Sequence, residues 1–153
     1  MPPAVLVLNG PNLNLLGRRE PAVYGHETLA DLEAACVAAG SDLGLAVTCR
    51  QSNHEGELID WIHAARETTA AILINAGAYS HTSQAIPDAL RAYPGIIVEL
   101  HLSNIYAREA FRHHSHISAT ATAVICGLGS QGYHLALRAV AERLAASAQH
   151  PDG

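Results

Sequence analysis

Tyr24 follows Arg19 by five residues in the polar stretch R-R-E-P-A-V-Y-G. A tyrosine acts as a base only if it ionises near neutral pH, and its reference pKa is about 10. Lowering that by ~3 units takes roughly 4 kcal/mol of preferential stabilisation of the phenolate. A guanidinium, which keeps its charge, is a suitable source; a plain packing contact is the alternative the residue types leave open. Glu99 and His101 lie two apart in a strand-like run and so share a face. A carboxylate beside an imidazole holds its tautomer and favours its protonated form, which makes His101 a candidate general acid. A hydrogen-bonded core pair is the other reading. Asn75, His81 and Ser83 can bond a polyhydroxylated ligand, unless Ser80 or Thr82 merely caps a helix. Leu102-Ser103-Asn104 offers backbone N–H groups to a carboxylate. Arg108 and Arg112 share a face if Y-A-R-E-A-F-R is helical.

Two other patterns attract attention and carry less. G-L-G-S-Q-G (127–132) matches a dinucleotide fingerprint between a strand and a helix. No following strand supplies the acidic ribose ligand about 20 residues on, so a tight turn is the better reading. His113-His114-x-His116 suggests a metal, but it lacks the thiols or spaced carboxylates of known sites, and HExxH is absent. It reads as a solvated polar loop, with no metal site.

Composition narrows the chemistry. The 153 residues suit one domain; 49% are hydrophobic and 15% charged, a globular balance that also favours an oligomer. The net charge of −5 argues against nucleic acid. All nine basic residues are arginine, which excludes a lysine Schiff base and a Walker-type phosphate loop. Cys36, Cys49 and Cys126 form no C-x-x-C pair; they read as buried free thiols in a reducing cytoplasm. The opening apolar run is too short for a signal peptide or a membrane span.

The elements that must position these residues alternate. Apolar runs at 4–8, 45–49, 70–74, 95–100 and 122–126 predict five buried strands, and 28–40, 55–67, 83–93 and 130–146 predict helices. Thr28 or Glu27, Asn53 and Ser130 are candidate helix starts, with Gly40 and Gly44 stopping the first helix. Such alternation implies one α/β domain over 1–153, with a fraying tail from about 147. The expected fold is a flavodoxin-like five-stranded parallel sheet of order 2-1-3-4-5 with helices on both faces. Ligands in such sheets bind beyond the carboxyl ends of the strands near the switch point. There the sequence gathers Asn9–Tyr24, Asn75–Ser83 and Glu99–Ser103. The first of these is a long loop with Gly17 and Gly25 as possible hinges, either a lid or a solvated segment. A nucleotide- or flavin-binding module is the alternative on this fold, although the first loop has asparagines where a flavin phosphate loop needs Ser, Thr and Gly.

Four segments, NGPNLNLLGRREPAVYG, INAGAYSHTS, VELHLSN and YAREAFRHHS, match type II 3-dehydroquinate dehydratases in identity, order and spacing. The chain resembles that family from about Ala4 to Leu144. The resemblance implies a lyase of the shikimate pathway, in aromatic amino acid and chorismate biosynthesis. It converts 3-dehydroquinate to 3-dehydroshikimate by anti elimination through an enolate, with no metal or cofactor. By position, Tyr24 resembles the base, Arg19 the lid arginine that favours the phenolate, and His101 the acid that protonates the departing hydroxyl. Glu99 resembles its orienting carboxylate and Asn12 the residue placing a water at the enolate oxygen. Asn75, His81, Leu102, Ser103 and Arg112 resemble substrate-binding positions, and Asp88 one that reaches a neighbouring subunit's site. The family also implies a cytoplasmic homododecamer, a tetramer of trimers. Ala123 stands where a glycine is expected, and Thr120 where proline is common.

Overall fold

The computed structural model describes residues 1–150, apart from the side chains of Val23 and Tyr24. Five parallel strands are ordered β2-β1-β3-β4-β5, as the alternation predicts. They are β1 (Ala4–Asn9), β2 (Ala46–Gln51), β3 (Ala71–Asn75), β4 (Ile96–His101) and β5 (Ala123–Cys126). The helices are α1 (Pro21–Tyr24), α2 (Leu29–Asp42), α3 (Glu55–Ala65), α4 (Ala85–Arg91) and α5 (Gln131–Gln149). The short α1 interrupts the long first loop; α5 extends three residues past 146, into the segment expected to fray.

Both sheet faces are covered because the central strands are apolar along their length, with polar residues only toward their carboxyl ends (Asn9, Asn75, Glu99, His101). Val5, Val7, Leu73, Val98 and Leu100 pack with Leu32 and Cys36 of α2 and with Tyr133, Ala136, Leu137 and Val140 of α5. Leu6, Leu8, Ile72, Ile74 and Ile97 point the other way, against Leu58 and Ile62 of α3 and Ile86 and Leu90 of α4. The period-2 alternation thus assigns each odd–even pair to opposite cores. The edges differ: β2 and β5 have no fully buried residue. Cys49 and Cys126, expected to be buried, are therefore only half-buried, while Cys36 on α2 is fully enclosed.

Local chemistry sets the helix ends. Thr28 accepts from Asp31 N while Asp31 accepts from Thr28 N, a reciprocal cap on α2. Gly40 lies within α2 and is buried; the helix ends beyond it, before Gly44 (φ 77°). His54, not Asn53, precedes α3, because Asn53 spends its side-chain Oδ1 on Asn12 N (2.9 Å) and Gln51 Nε2 (3.1 Å). Ser130 precedes α5 but its hydroxyl donates to Glu27 Oε2 at 2.9 Å. Residues 105–113 form two 3-10 turns, Ile105–Ala107 and Ala110–His113, so Y-A-R-E-A-F-R is not the single helix on which a shared face of Arg108 and Arg112 depended.

Candidate active site

The carboxyl ends of β1, β3 and β4 are held together by backbone before any side chain acts. Gly10 N donates to Asn75 O at 2.8 Å, and a Cβ on Gly10 would sit 2.5 Å from the Ala76 carbonyl oxygen. Only glycine permits that approach. Gly127 N and Gly129 N donate to the carbonyls of His101 and Leu102 (3.1 and 2.9 Å), so the G-L-G-S-Q-G turn pins the end of β4. Those N–H groups are thereby spent and cannot cradle a phosphate.

Beyond these ends lies a polar cleft whose walls include Asn75, His81, His101, Leu102, Ser103 and Arg112. The sequence named all six and also Arg108, and Leu13, Gly77 and Ile105 complete the lining. A larger cavity of about 310 Å³ opens between the end of α3, the amino-terminal half of β1 and Thr48 and Arg50 of β2. Its lining includes Arg50, Thr48, Thr68 and Trp61 and has no acid–base pair.

Glu99 is fully buried and His101 nearly so. His101 Nε2–H donates to Glu99 Oε2, and Ser118 Oγ–H donates to Glu99 Oε1 at 2.6 Å. Burial pushes the Glu99 carboxyl up. Hydrogen bonds from His101, Ser118 and Ser115, with the imidazole's charge, outweigh that and hold it below the usual carboxylate range. An ionised Glu99 fixes the proton on His101 Nε2 and leaves Nδ1 as the ring nitrogen for a ligand. Ser118 and Ser115 escaped the sequence reading, since a serine 19 residues from its partner carries no local signal.

His81 stacks on His101, with ring centroids 6.2 Å apart and planes 19° from parallel. Its Nδ1–H donates to the His114 carbonyl at 2.8 Å, so Nε2 is the free acceptor. Burial, aided by the charges of His101 and Arg112, outweighs the His114 hydrogen bond and the Glu99 charge and lowers its pKa below the ordinary value, which favours the neutral ring at pH 7. Phe111 meets it edge-on at 6.1 Å, and the Arg112 guanidinium lies 4.7 Å from the Phe111 centroid while its Nε–H donates to Glu109. The site therefore pairs one carboxylate-bound imidazole with one neutral imidazole.

The histidine cluster also has structural work. His113 Nε2–H donates to Arg108 O (2.9 Å), the His114 carbonyl holds His81, and His116 N donates to Ser80 O (2.8 Å). Ser83, a candidate ligand group, instead accepts from Ile86 N at 3.0 Å at the start of α4.

Behind Asn75 is a second group of residues that sequence reasoning missed. Asn75 Nδ2 donates to Tyr133 Oη (3.1 Å), and Tyr133 Oη–H donates to Asn9 Oδ1 (2.5 Å). Gly77 N donates to Asn75 Oδ1 at 3.2 Å. Three distant parts of the chain meet there, out of reach of any spacing rule.

Other named residues stand outside the cleft. Asn12 is exposed in the left-handed region (φ 69°), with its backbone N–H on Asn53. Arg19 is exposed and pairs with Glu20 at 3.7 Å. The Tyr24 side chain lies outside the described residues. Asp88 is on the outer side of α4, paired with Arg91 at 2.8 Å in a separate pocket with Gln84, Pro87 and His116. The stems of the Arg19–Tyr24 loop touch: a Cβ on Gly17 (φ 84°) would lie 2.7 Å from the His26 carbonyl oxygen. The loop is thus a closed excursion on a narrow neck.

Residues 3–141 match the family described as dehydroquinase class II. A 3-dehydroquinate dehydratase from Brucella canis is 60% identical over 141 residues, covering 92% of this chain and 90% of that protein. One from Rhodopseudomonas palustris is 55% identical, covering 97% and 99%. The crystal structure of type II dehydroquinase from Propionibacterium acnes superposes with a TM-score of 0.90 at 48% identity, covering 93% of this chain and 98% of that one. A 3-dehydroquinate dehydratase-like protein from Bifidobacterium longum superposes at 0.71 with 34% identity, covering 94% and 98%.

Proposed function

Because the chain belongs to the class II dehydroquinase family, we propose that its cleft beyond β3 and β4 is where it acts on substrate. The activity is that of a 3-dehydroquinate dehydratase, a hydro-lyase of the shikimate pathway. Neither the family nor the relatives support the nucleotide- or flavin-binding alternative. The observation that carries the placement is the buried Glu99–His101 pair, braced by Ser118 and open to that cleft.

In this reading the Tyr24 phenolate removes the proton next to the ketone, and the electron pair passes into an enolate. His101 then gives its Nδ1 proton to the departing hydroxyl, which leaves as water. Glu99 keeps the imidazole in register and offsets its charge. Asn75 and neutral His81 bind substrate hydroxyls, while Leu102 and Ser103 backbone with Arg112 takes the carboxylate. Arg19 and Asn12 act when the loop folds over the cleft: Arg19 favours the phenolate, and Asn12 holds a water at the enolate oxygen. Releasing Arg19 is cheap, since an exposed pair such as Arg19–Glu20 contributes only ~0–1 kcal/mol. No cofactor enters the scheme.

The same reading places the enzyme in the cytoplasm as a homododecamer built from trimers. Asp88, on an outer face, then reaches a neighbour's site. The direct test mixes purified protein with 3-dehydroquinate and follows the ultraviolet absorbance of the conjugated enone. Growth of that band supports the scheme, and its absence with folded protein refutes it.

A further inference from the structure

We infer that Tyr133 is a positioning residue that, together with the Gly77 N–H, fixes which way round the Asn75 amide faces the substrate. The inference rests on Asn75 being a substrate contact.

The polarity of the network is forced from one end. Gly77 N–H can only donate, so the Asn75 atom facing it is the carbonyl oxygen. The Asn75 NH₂ then faces Tyr133, which must accept there. A phenol has one proton, and Tyr133 sends it to Asn9 Oδ1 at 2.5 Å. Turning the Asn75 amide over would set its oxygen against the Tyr133 lone pairs and its NH₂ against the Gly77 N–H. Both contacts would become repulsive.

Tyr133 is 1% exposed, and burial raises its phenol well above the ordinary value, so the hydroxyl stays protonated and the pattern persists at every working pH. Asn75 lines the cleft, whereas Tyr133 and Asn9 do not. Each Asn75 group therefore uses one bonding direction inward and presents the remaining N–H and lone pair outward. The network is not arranged for stability alone, because Asn9 Nδ2 is buried with no protein partner among the described residues. Burying an unpaired donor is unfavourable, yet this placement delivers Asn9 Oδ1 to Tyr133.

Tyr133→Phe keeps the ring in its apolar bed and removes only the hydroxyl. With 3-dehydroquinate as substrate, KM should rise roughly 3- to 10-fold, the scale of one neutral hydrogen bond, with kcat held within about twofold. Asn75→Ala should raise KM by itself, and adding Tyr133→Phe to it should change KM no further. If Asn75→Ala leaves KM unchanged, the reading of Asn75 as a substrate contact fails and takes this inference with it. If Asn75→Ala raises KM but Tyr133→Phe does not, the inference alone is overturned. Equal effects of Tyr133→Phe in both backgrounds would mean general loosening and would also overturn it. Should Tyr133→Phe not fold, Asn9→Ala carries the same test. It strands the Tyr133 proton, which can then turn only toward Asn75, and the same KM pattern is required.

Discussion

Removing the Ser118 hydroxyl isolates one bond to a buried charge. Ser118 Oγ–H donates to Glu99 Oε1 at 2.6 Å, and Glu99 is 0% exposed. A hydrogen bond to a charged group contributes about 1.5–3 kcal/mol, against about 0.5–1.5 for a neutral one. Ser118→Ala should therefore destabilise the fold by ~1.5–3 kcal/mol at pH 7. In a Glu99→Gln background the same substitution should cost only ~0.5–1.5 kcal/mol. The sign with pH follows from the lowered folded-state value of Glu99. A depressed carboxyl contributes stability that is fully present above its ordinary value of 4.5 and is lost as pH falls through the folded value. Without Ser118 one of the lowering donors is gone, so the variant has less to lose on acidification. The gap between the two proteins should narrow below about pH 4.5. Urea unfolding at fixed protein concentration, at pH 7 and at stepwise lower pH, measures both effects. A cost under about 0.5 kcal/mol at pH 7, or an undiminished cost in the Glu99→Gln background, would show that Ser118 does not support an ionised Glu99.

Further outcomes follow from the loop and the surface. Tyr24→Phe should lower kcat at least 10²-fold with KM within a few-fold, while Arg19→Ala should leave residual activity that climbs with pH; near-normal kcat in Tyr24→Phe would move the base elsewhere. Gly17→Ala forces a Cβ against the His26 carbonyl at a positive φ, so it should cut kcat/KM about tenfold or more through the loop neck and lower the melting temperature by roughly 2–4 °C. Light scattering should report a dodecamer, and Asp88→Ala should raise KM with the Glu99–His101 pair intact; an active monomer would refute both.

What the sequence revealed and what it hid have physical reasons. The fold was legible because β1, β3 and β4 are apolar on both faces and α2, α3 and α5 carry one-sided patterns. Glu99 and His101 were legible because a strand's period places i and i+2 together. In Y-A-R-E-A-F-R the arginine spacing left a helix open, and none forms because the backbone bonds elsewhere. Asn104 Oδ1 takes Tyr106 N, and the Arg108 carbonyl, which a helix would give to Arg112 N, goes to the His113 ring. Arg112 N bonds Glu109 O instead. Ser118 and Tyr133 were hidden because nothing distinguishes their types until the tertiary fold brings them to Glu99 and Asn75.

The Tyr133–Asn9 bond joins residues 124 apart, between the first strand and the last helix. A chain emerging from the ribosome can assemble β1, β3 and the Gly10–Asn75 contact early. Its Asn75 amide then has the Gly77 N–H on its oxygen but lacks the Tyr133 hydroxyl against its NH₂ until α5 has left the exit tunnel and docked. At synthesis rates of about 5–20 residues per second, the stretch from Asn75 to Tyr133 leaves several seconds in which a sheet exists without a finished site. On the reading of Asn75 as a substrate contact, full competence for substrate is thus a late event in the life of each new molecule, timed by the arrival of one phenol.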